Sequence, residues 1–236
     1  MVYRPGVEGR SWPYRYTPRV GSLFLVRHSA TAASAAGRSL GQASDPHLSD
    51  AGVTLAARLG VAVAAELAEL PHDELRLVAS SALRCRQTAA QIAVALERSD
   101  LAMEVEPGLL EIDYGRWEGL TPEECMLRDP ALRRAWEEDP FLTGCPDGES
   151  GADVAARAFA VLTPIERWLS DQRARCAIVV AHNHVNRLRL CALMGWPMRD
   201  YRRRVVQDPG GYSIVTFTDG MPVLRRLNSA PGAPLA

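Results

Sequence analysis

The sequence predicts an α/β fold built on a mostly parallel central sheet. Three observations carry that prediction. Short apolar runs of strand length alternate with longer stretches whose apolar residues recur at helical spacing. The chain of 236 residues shows no internal repeat and no linker long enough to divide it, so one domain accounts for it. Three of the apolar runs end abruptly in polar, chemistry-bearing residues, as strands do where an open α/β sheet presents a ligand site at its carboxyl edge.

In chain order, residues 1–20 are rich in Arg, Pro, Tyr and Trp without periodicity and read as an irregular arm; 21–228 form the domain, and 229–236 a flexible tail. Ser22–Val26 is a short buried strand. Gly52–Leu70 is a helix because Val53, Ala56, Leu59, Val63, Leu67 and Leu70 share a face, with Ser49 and Asp50 as candidate N-caps. Leu75–Ala79 is a second strand and Leu83–Leu96 a second helix. Thr121-Pro-Glu-Glu124 has capping-box chemistry and starts another helix. The helical pattern from Gly151 to Ser170 contains Pro164, and Thr163-Pro-Ile-Glu166 resembles a new N-cap, so a kink or break is expected there. Cys176–Ala181 is the clearest strand, with a helix following through Leu193. Tyr212–Phe217 and Met221–Leu227 read as a closing hairpin around Thr218-Asp-Gly220.

Composition narrows the function. The net charge is −1, which supplies no bulk attraction to nucleic acid or a membrane surface. All 27 basic residues are arginine, so lysine Schiff-base and P-loop chemistry are excluded. Cys85, Cys125, Cys145, Cys176 and Cys191 are odd in number and scattered, without a CxxC, which points to reduced thiols in the cytoplasm rather than a disulfide framework or a cysteine zinc site. The N-terminal stretch lacks the apolar core of a secretory signal, and no uninterrupted apolar run reaches membrane-spanning length.

The polar strand ends then converge. The first strand runs into Arg27-His28, the second into Ser80-Ser-Ala-Leu-Arg84, the third into His182-Asn-His184. Guanidinium forks match phosphate oxygens, and histidine serves as nucleophile, donor or proton shuttle. Arg27, His28, Arg84 and His182 together suggest a pocket for a phosphoryl dianion, with charge neutralised by arginine and no metal cage apparent. Leu109–Gly119 (LLEIDYGRWEG) offers Glu111, Asp113 and Glu118; a glutamate in a partly desolvated anionic site has a raised pKa suited to a general acid, and Asp113 reads as a surface charge. His182 and His184 as a metal or nuclease motif is disfavoured, since positions i and i+2 diverge on a strand; His184 reads as a pocket-wall or helix-start residue, His47 and His72 as surface histidines.

These residues resemble the histidine phosphatase superfamily, also called phosphoglycerate-mutase-like. LFLVRHSAT (Leu23–Thr31) is similar to its LVRHGET, Gly41–Gly52 to its second block, SSALRCRQTA (Ser80–Ala89) to SSPLxRAxQTA, LLEIDYGRWEGLT to the block carrying the acid, Pro146–Ser150 to PGGES, and VVAHNHVNR to the second-histidine block. The resemblance spans about Leu23 to Phe217. It implies a three-layer α/β/α fold of the phosphoglycerate-mutase-like type, no cofactor and no metal, and a small-molecule phosphate ester as substrate. It further implies His28 as a nucleophile forming a phosphohistidine, and Glu111 as proton donor and then base. Arg27, Arg84 and His182 would hold the phosphoryl oxygens, with the Asn183 backbone amide and the Ser34 hydroxyl beside them. Neither nucleic acid nor a membrane is implied as partner, and a homodimer is compatible with the family. The chain departs from the pattern at Ser29, Ala30 and Ser34, where the family has glycine, glutamate and asparagine. Its blocks resemble the α-ribazole and broad-specificity phosphatases more than the mutases. Phosphatase, mutase-type phosphotransferase and a degenerate phosphate-binding protein remain the readings open. The loops Ser29–Ser44 and Thr121–Ser150 are placed to set specificity; in the latter Arg133, Arg134 and Trp136 are either a second anion subsite or solvated helix charge.

Overall fold

The computed structural model describes residues 20–98, 100–171 and 174–232, so the predicted arm up to position 19 and the tail from 233 lie outside the described residues. A sheet of six strands forms the centre: β1 (Val20–Arg27), β2 (Glu74–Ser80), β3 (Met103–Glu106), β4 (Arg175–Ala181), β5 (Tyr212–Thr218) and β6 (Met221–Ser229), in the spatial order β3-β2-β4-β1-β5-β6. β3, β2, β4 and β1 are mutually parallel; β5 runs antiparallel to β1 and pairs with β6 as the expected hairpin. The sheet is therefore mostly parallel, as predicted.

Among the described residues eight α-helices accompany it: α1 (Ala32–Ala35), α2 (Asp50–Ala68), α3 (Leu83–Ala95), α4 (Pro122–Arg128), α5 (Pro130–Glu138), α6 (Gly151–Ser170), α7 (Asn183–Leu193) and α8 (Tyr201–Arg204). Strand alternation divides the core into two layers. On one face Phe24, Val26, Leu77, Ala79, Ile178 and Val180 pack against Leu59, Val63 and Leu67 of α2 and Cys85, Ala89 and Ile92 of α3. On the other, Leu23, Leu25, Val78, Ala177 and Val179 meet Val154, Ala158, Leu162 and Ile165 of α6 and Val185 and Leu188 of α7. β4 is buried along its whole length, which explains its continuous apolar sequence. α2 is apolar enough in composition to span a bilayer, yet its buried stripe of Ala56, Leu59, Val63 and Leu67 lies on the sheet, as in a core helix.

Two readings need correction. α6 is one unbroken helix through Pro164, and no new helix starts at Thr163; Ser150 caps it reciprocally with Asp153, and the apolar stripe from Val154 to Leu169 anchors both sides of the proline. β3 escaped notice because Met-Glu-Val-Glu is a short edge strand with none of its residues fully buried.

Leu25 is completely buried between β4 and β5. Leu25→Ala is expected to lower stability by about 2–5 kcal/mol, read as a reduced urea midpoint at unchanged m-value.

Candidate active site

Register brings the polar strand ends together. β1 and β4 pair with Arg27 opposite Ala181, so the next residues, His28 and His182, emerge side by side. Their rings sit 5.1 Å apart, inclined at 65°. β2 pairs with β4 one strand further on, which puts Ser80 at the same edge. The site occupies the carboxyl ends of three adjacent parallel strands, where helix starts and loops converge.

His28 is buried, and its Nδ1 donates to the carbonyl oxygen of Ser29 at 2.8 Å. That bond fixes the tautomer and leaves Nε2 with its lone pair. Burial, reinforced by the charges of Arg84 and Arg27, pushes the His28 pKa down to about 3, so the ring is neutral at physiological pH. The departure at Ser29 is accommodated without disturbing this ring. Ser29 is buried, its hydroxyl donates to the Gly52 carbonyl at 2.7 Å, and its amide donates to Thr88 Oγ1 at 3.0 Å. Gly52 in turn has no room for a side chain, since a Cβ there would lie 1.9 Å from the Ala30 carbonyl oxygen.

Arg84 and His182 form the floor under His28 and are fully buried. Arg84 donates to the Gly41 carbonyl at 2.9 Å and stands 3.6 Å from Asp45, which also caps the amide of Leu83. The Arg84 Nη2 lies 3.4 Å from His182 Nδ1. Arginine can only donate, so Nδ1 accepts and the Nε2–H of His182 donates to Ser80 Oγ at 2.9 Å. Burial holds the His182 pKa far below its ordinary value.

Glu111 reaches the site from the segment after β3. Its carboxylate accepts from the amides of Ile112 (3.0 Å), Asn183 (3.0 Å) and His184 (3.2 Å), the last two at the start of α7. His184 Nδ1 lies 3.3 Å from Oε1 but off hydrogen-bond alignment; its ring is buried between Tyr114 and Tyr201, with Trp136 close by. Two expectations change here. Burial alone would raise the Glu111 pKa, but His184 and the converging amides outweigh it and hold the carboxyl well below the usual carboxylate range. The Asn183 amide, expected to face a phosphate, is taken by Glu111 instead. Of the other acids in the segment, Asp113 accepts from Gly115 and Glu118 from the Gly41 amide, so both shape loops.

A cavity of about 210 Å³ opens in front of His28. Arg27, His28, Ser34, Glu111 and Asn183 line it, while Arg84 and His182 stand behind this lining. Arg27 is held by a bond from Nη1 to the Gln207 carbonyl at 2.5 Å. Ser34 donates its hydroxyl to the Thr31 carbonyl at 3.0 Å and receives the Thr31 amide, so its proton serves the cap of α1 rather than the cavity. The lining also includes Arg38, Tyr114, Arg133, Trp136 and Arg202. Arg133 is buried against Trp136 and paired with Glu137, whereas Arg134 is outside the lining. His182 and His184 do not converge, and the described residues contain no cluster of three or more metal-ligating side chains.

Sequence reasoning missed Arg157. From α6 it donates to the carbonyls of Gly108 (2.9 Å), Leu110 (2.5 Å) and Glu111 (2.9 Å) and closes two bonds to Glu149 at 2.8 and 2.7 Å. Glu149 also receives the Asp113 amide. The arginine thus clamps the segment that carries Glu111, and its only sequence signal was a lone charge on an otherwise apolar helix face.

Fold and site define an α/β enzyme with a buried neutral histidine facing an arginine-rich anion pocket. The comparisons make this specific: the sequence model of the histidine phosphatase superfamily (branch 1) matches residues 23–230, and the chain belongs to that superfamily and is a phosphatase. It is 31% identical over 207 residues to phosphoserine phosphatase 1 of Hydrogenobacter thermophilus, covering 87% of this chain and 91% of the relative. It is 32% identical over 189 residues to a glucosyl-3-phosphoglycerate phosphatase of Mycobacterium tuberculosis, covering 78% and 79%. The solved structure of a mycobacterial glucosyl-3-phosphoglycerate phosphatase complexed with VO3 superposes with a TM-score of 0.73 at 26% identity, covering 89% of this chain and all of that one.

Arg157→Met is expected to lower kcat by about 10²-fold through misplacement of Glu111, with the fold retained by circular dichroism and Arg157→Lys only partly restoring the rate.

Proposed function

We propose that the chain hydrolyses a small-molecule phosphomonoester through a phosphohistidine on His28, without a metal. The observation that carries this reading is the neutral His28 ring, its Nδ1 tied to Ser29 and its Nε2 free beside Arg27. Arg27 from the wall and Arg84 from below neutralise the phosphoryl oxygens. His28 Nε2 attacks phosphorus, the bond to the ester oxygen breaks, and Glu111 delivers a proton to that oxygen as it leaves. The Ser29 carbonyl then stabilises the charged phosphoimidazole through Nδ1–H. Water attacks the phosphohistidine, Glu111 takes its proton back, and inorganic phosphate departs from a regenerated neutral His28.

Glu111 is ionised before substrate arrives, so the acid step needs a proton from elsewhere. A phosphomonoester monoanion supplies it, and the negative charge of the bound phosphoryl group raises the Glu111 pKa toward the value that the step requires. His184 and the α7 amides receive the carboxylate again in the second half-reaction. Five free, buried cysteines support the cytoplasm as the compartment.

Hydrolysis of p-nitrophenyl phosphate is expected to persist in excess EDTA and to vanish in His28→Ala. Glu111→Gln should reduce kcat by about 10²–10⁴-fold with esters of poor leaving groups. EDTA-sensitive turnover, or full activity in His28→Ala, would refute the mechanism.

The pH profile follows from the same groups. The nucleophile must be neutral, and its pKa is lowered to about 3, so kcat/KM should show no loss as pH falls through the ordinary histidine range and should drop only near pH 3. On the alkaline side the substrate loses its proton around its second pKa of about 6, and kcat/KM should fall tenfold per pH unit above it. An acid limb near pH 6.5 would show a His28 that is charged in the free enzyme.

A further inference from the structure

We propose that Gln207 and Asn228 are positioning residues for Arg27: together they lock the peptide between Gln207 and Asp208, so that its carbonyl aims the guanidinium at the phosphoryl group. The inference rests on the reading above, in which Arg27 binds the phosphoryl oxygens, and adds the residues that aim it.

Arg27 lines the cavity, and among the described residues its guanidinium makes one hydrogen bond, from Nη1 to the Gln207 carbonyl at 2.5 Å. Its Nε is buried without a partner. The charges of Glu111, Asp208 and Arg84 act on it as well, but charge sets no direction. A guanidinium is a planar fork whose donors point in fixed directions, so holding one donor sets the others. Whatever fixes the Gln207 carbonyl therefore fixes the fork.

That carbonyl is held from both ends. A peptide unit is planar, so the direction of the Asp208 N–H determines that of the Gln207 C=O. The Asp208 amide donates to Asn228 Oδ1 at 2.7 Å, and Asn228 Nδ2 donates to the Asp208 carboxylate at 2.8 Å. The buried Gln207 side chain is anchored to two further elements. Its Oε1 accepts from Asn186 Nδ2 of α7 at 2.9 Å, and its Nε2 donates to Ser213 Oγ of β5 at 3.2 Å. Ser213 Oγ also receives the Asn228 amide at 3.1 Å. The same segment follows the nucleophile: the Arg27 amide donates to the Gly211 carbonyl at 2.9 Å, and the Gly210 amide to the His28 carbonyl at 3.1 Å.

Asn186, Gln207 and Ser213 are buried, and none of them lines the cavity. Buried amides and hydroxyls cost stability unless their bonds are made, and apolar side chains would fill the same space without that cost. The bonds these three make with one another converge on the peptide that faces Arg27.

A mutant cycle tests this with the wild type, Gln207→Met, Arg27→Met and the double variant, using calorimetry with inorganic phosphate and kcat/KM for p-nitrophenyl phosphate. Gln207→Met is expected to weaken phosphate binding about 10-fold and to lower kcat/KM by about 10- to 100-fold. In the Arg27→Met background the same change should cost no more than about twofold in either measure, since a residue that acts through Arg27 has nothing left to act on. Asn228→Gly repeats the cycle from the surface if Gln207→Met does not fold; Asn228 has a φ of 50°, which glycine adopts without strain. The Arg27 Nε–H resonance, assigned by its loss in Arg27→Met, should move or broaden in Gln207→Met and in Asn228→Gly. Equal losses in the two backgrounds, or an unchanged Arg27 resonance, overturn the proposal. Absence of turnover with every ester would refute the phosphatase reading, while phosphate binding and the Arg27 resonance still decide the role of Gln207 and Asn228.

Discussion

Two imidazoles 5.1 Å apart, buried beside two arginines, cannot both be charged, and much of the site is an answer to that constraint. Neutrality leaves His28 a lone pair on Nε2 rather than a positive charge. It also demands that each ring nitrogen be given a defined partner. The Ser29 carbonyl takes the His28 Nδ1–H, and Ser80 with Arg84 fixes His182. The pairing register of β1 with β4 and of β4 with β2 supplies that arrangement at no conformational choice, because all three residues leave the sheet at its last paired positions.

Negative charge is handled by a different device. Glu111 sits at the start of α7, where free amides of the first turn converge, and is kept from wandering by backbone bonds to Arg157. Arg157 is itself neutralised by Glu149, so the clamp adds order to the segment without adding charge to the cavity. The net positive potential in front of His28 therefore comes from the lining arginines, as an anionic substrate requires.

Legibility followed physical locality. Strands and helices with a strong periodic face were readable, and so were His28, Arg84, Glu111 and His182, because strand ends mark sites and their chemistry is distinctive. Arg157 was not, since it acts through carbonyls distant in sequence, and nothing local separates such an arginine from a solvated one. Ser34 and Asn183 line the cavity, but neighbouring groups claim the hydrogen bonds expected of them there. The Glu111 pKa was misread for a related reason: burial was foreseeable, whereas three backbone amides aimed at one carboxylate are a property of the folded loop. Pro164 was overweighted because a helix packed along its whole length tolerates one missing donor.

The strand that carries His28 is made first and completed last. Its partners on either side are β4, beginning at Arg175, and β5, beginning at Tyr212. A growing chain therefore exposes an unpaired apolar strand with no site at its end for most of its synthesis, and contacts of such sequence separation close slowly. β1 gains its second edge partner only when the C-terminal hairpin docks, so the strand that presents His28 is completed by one of the last segments of the chain to be made.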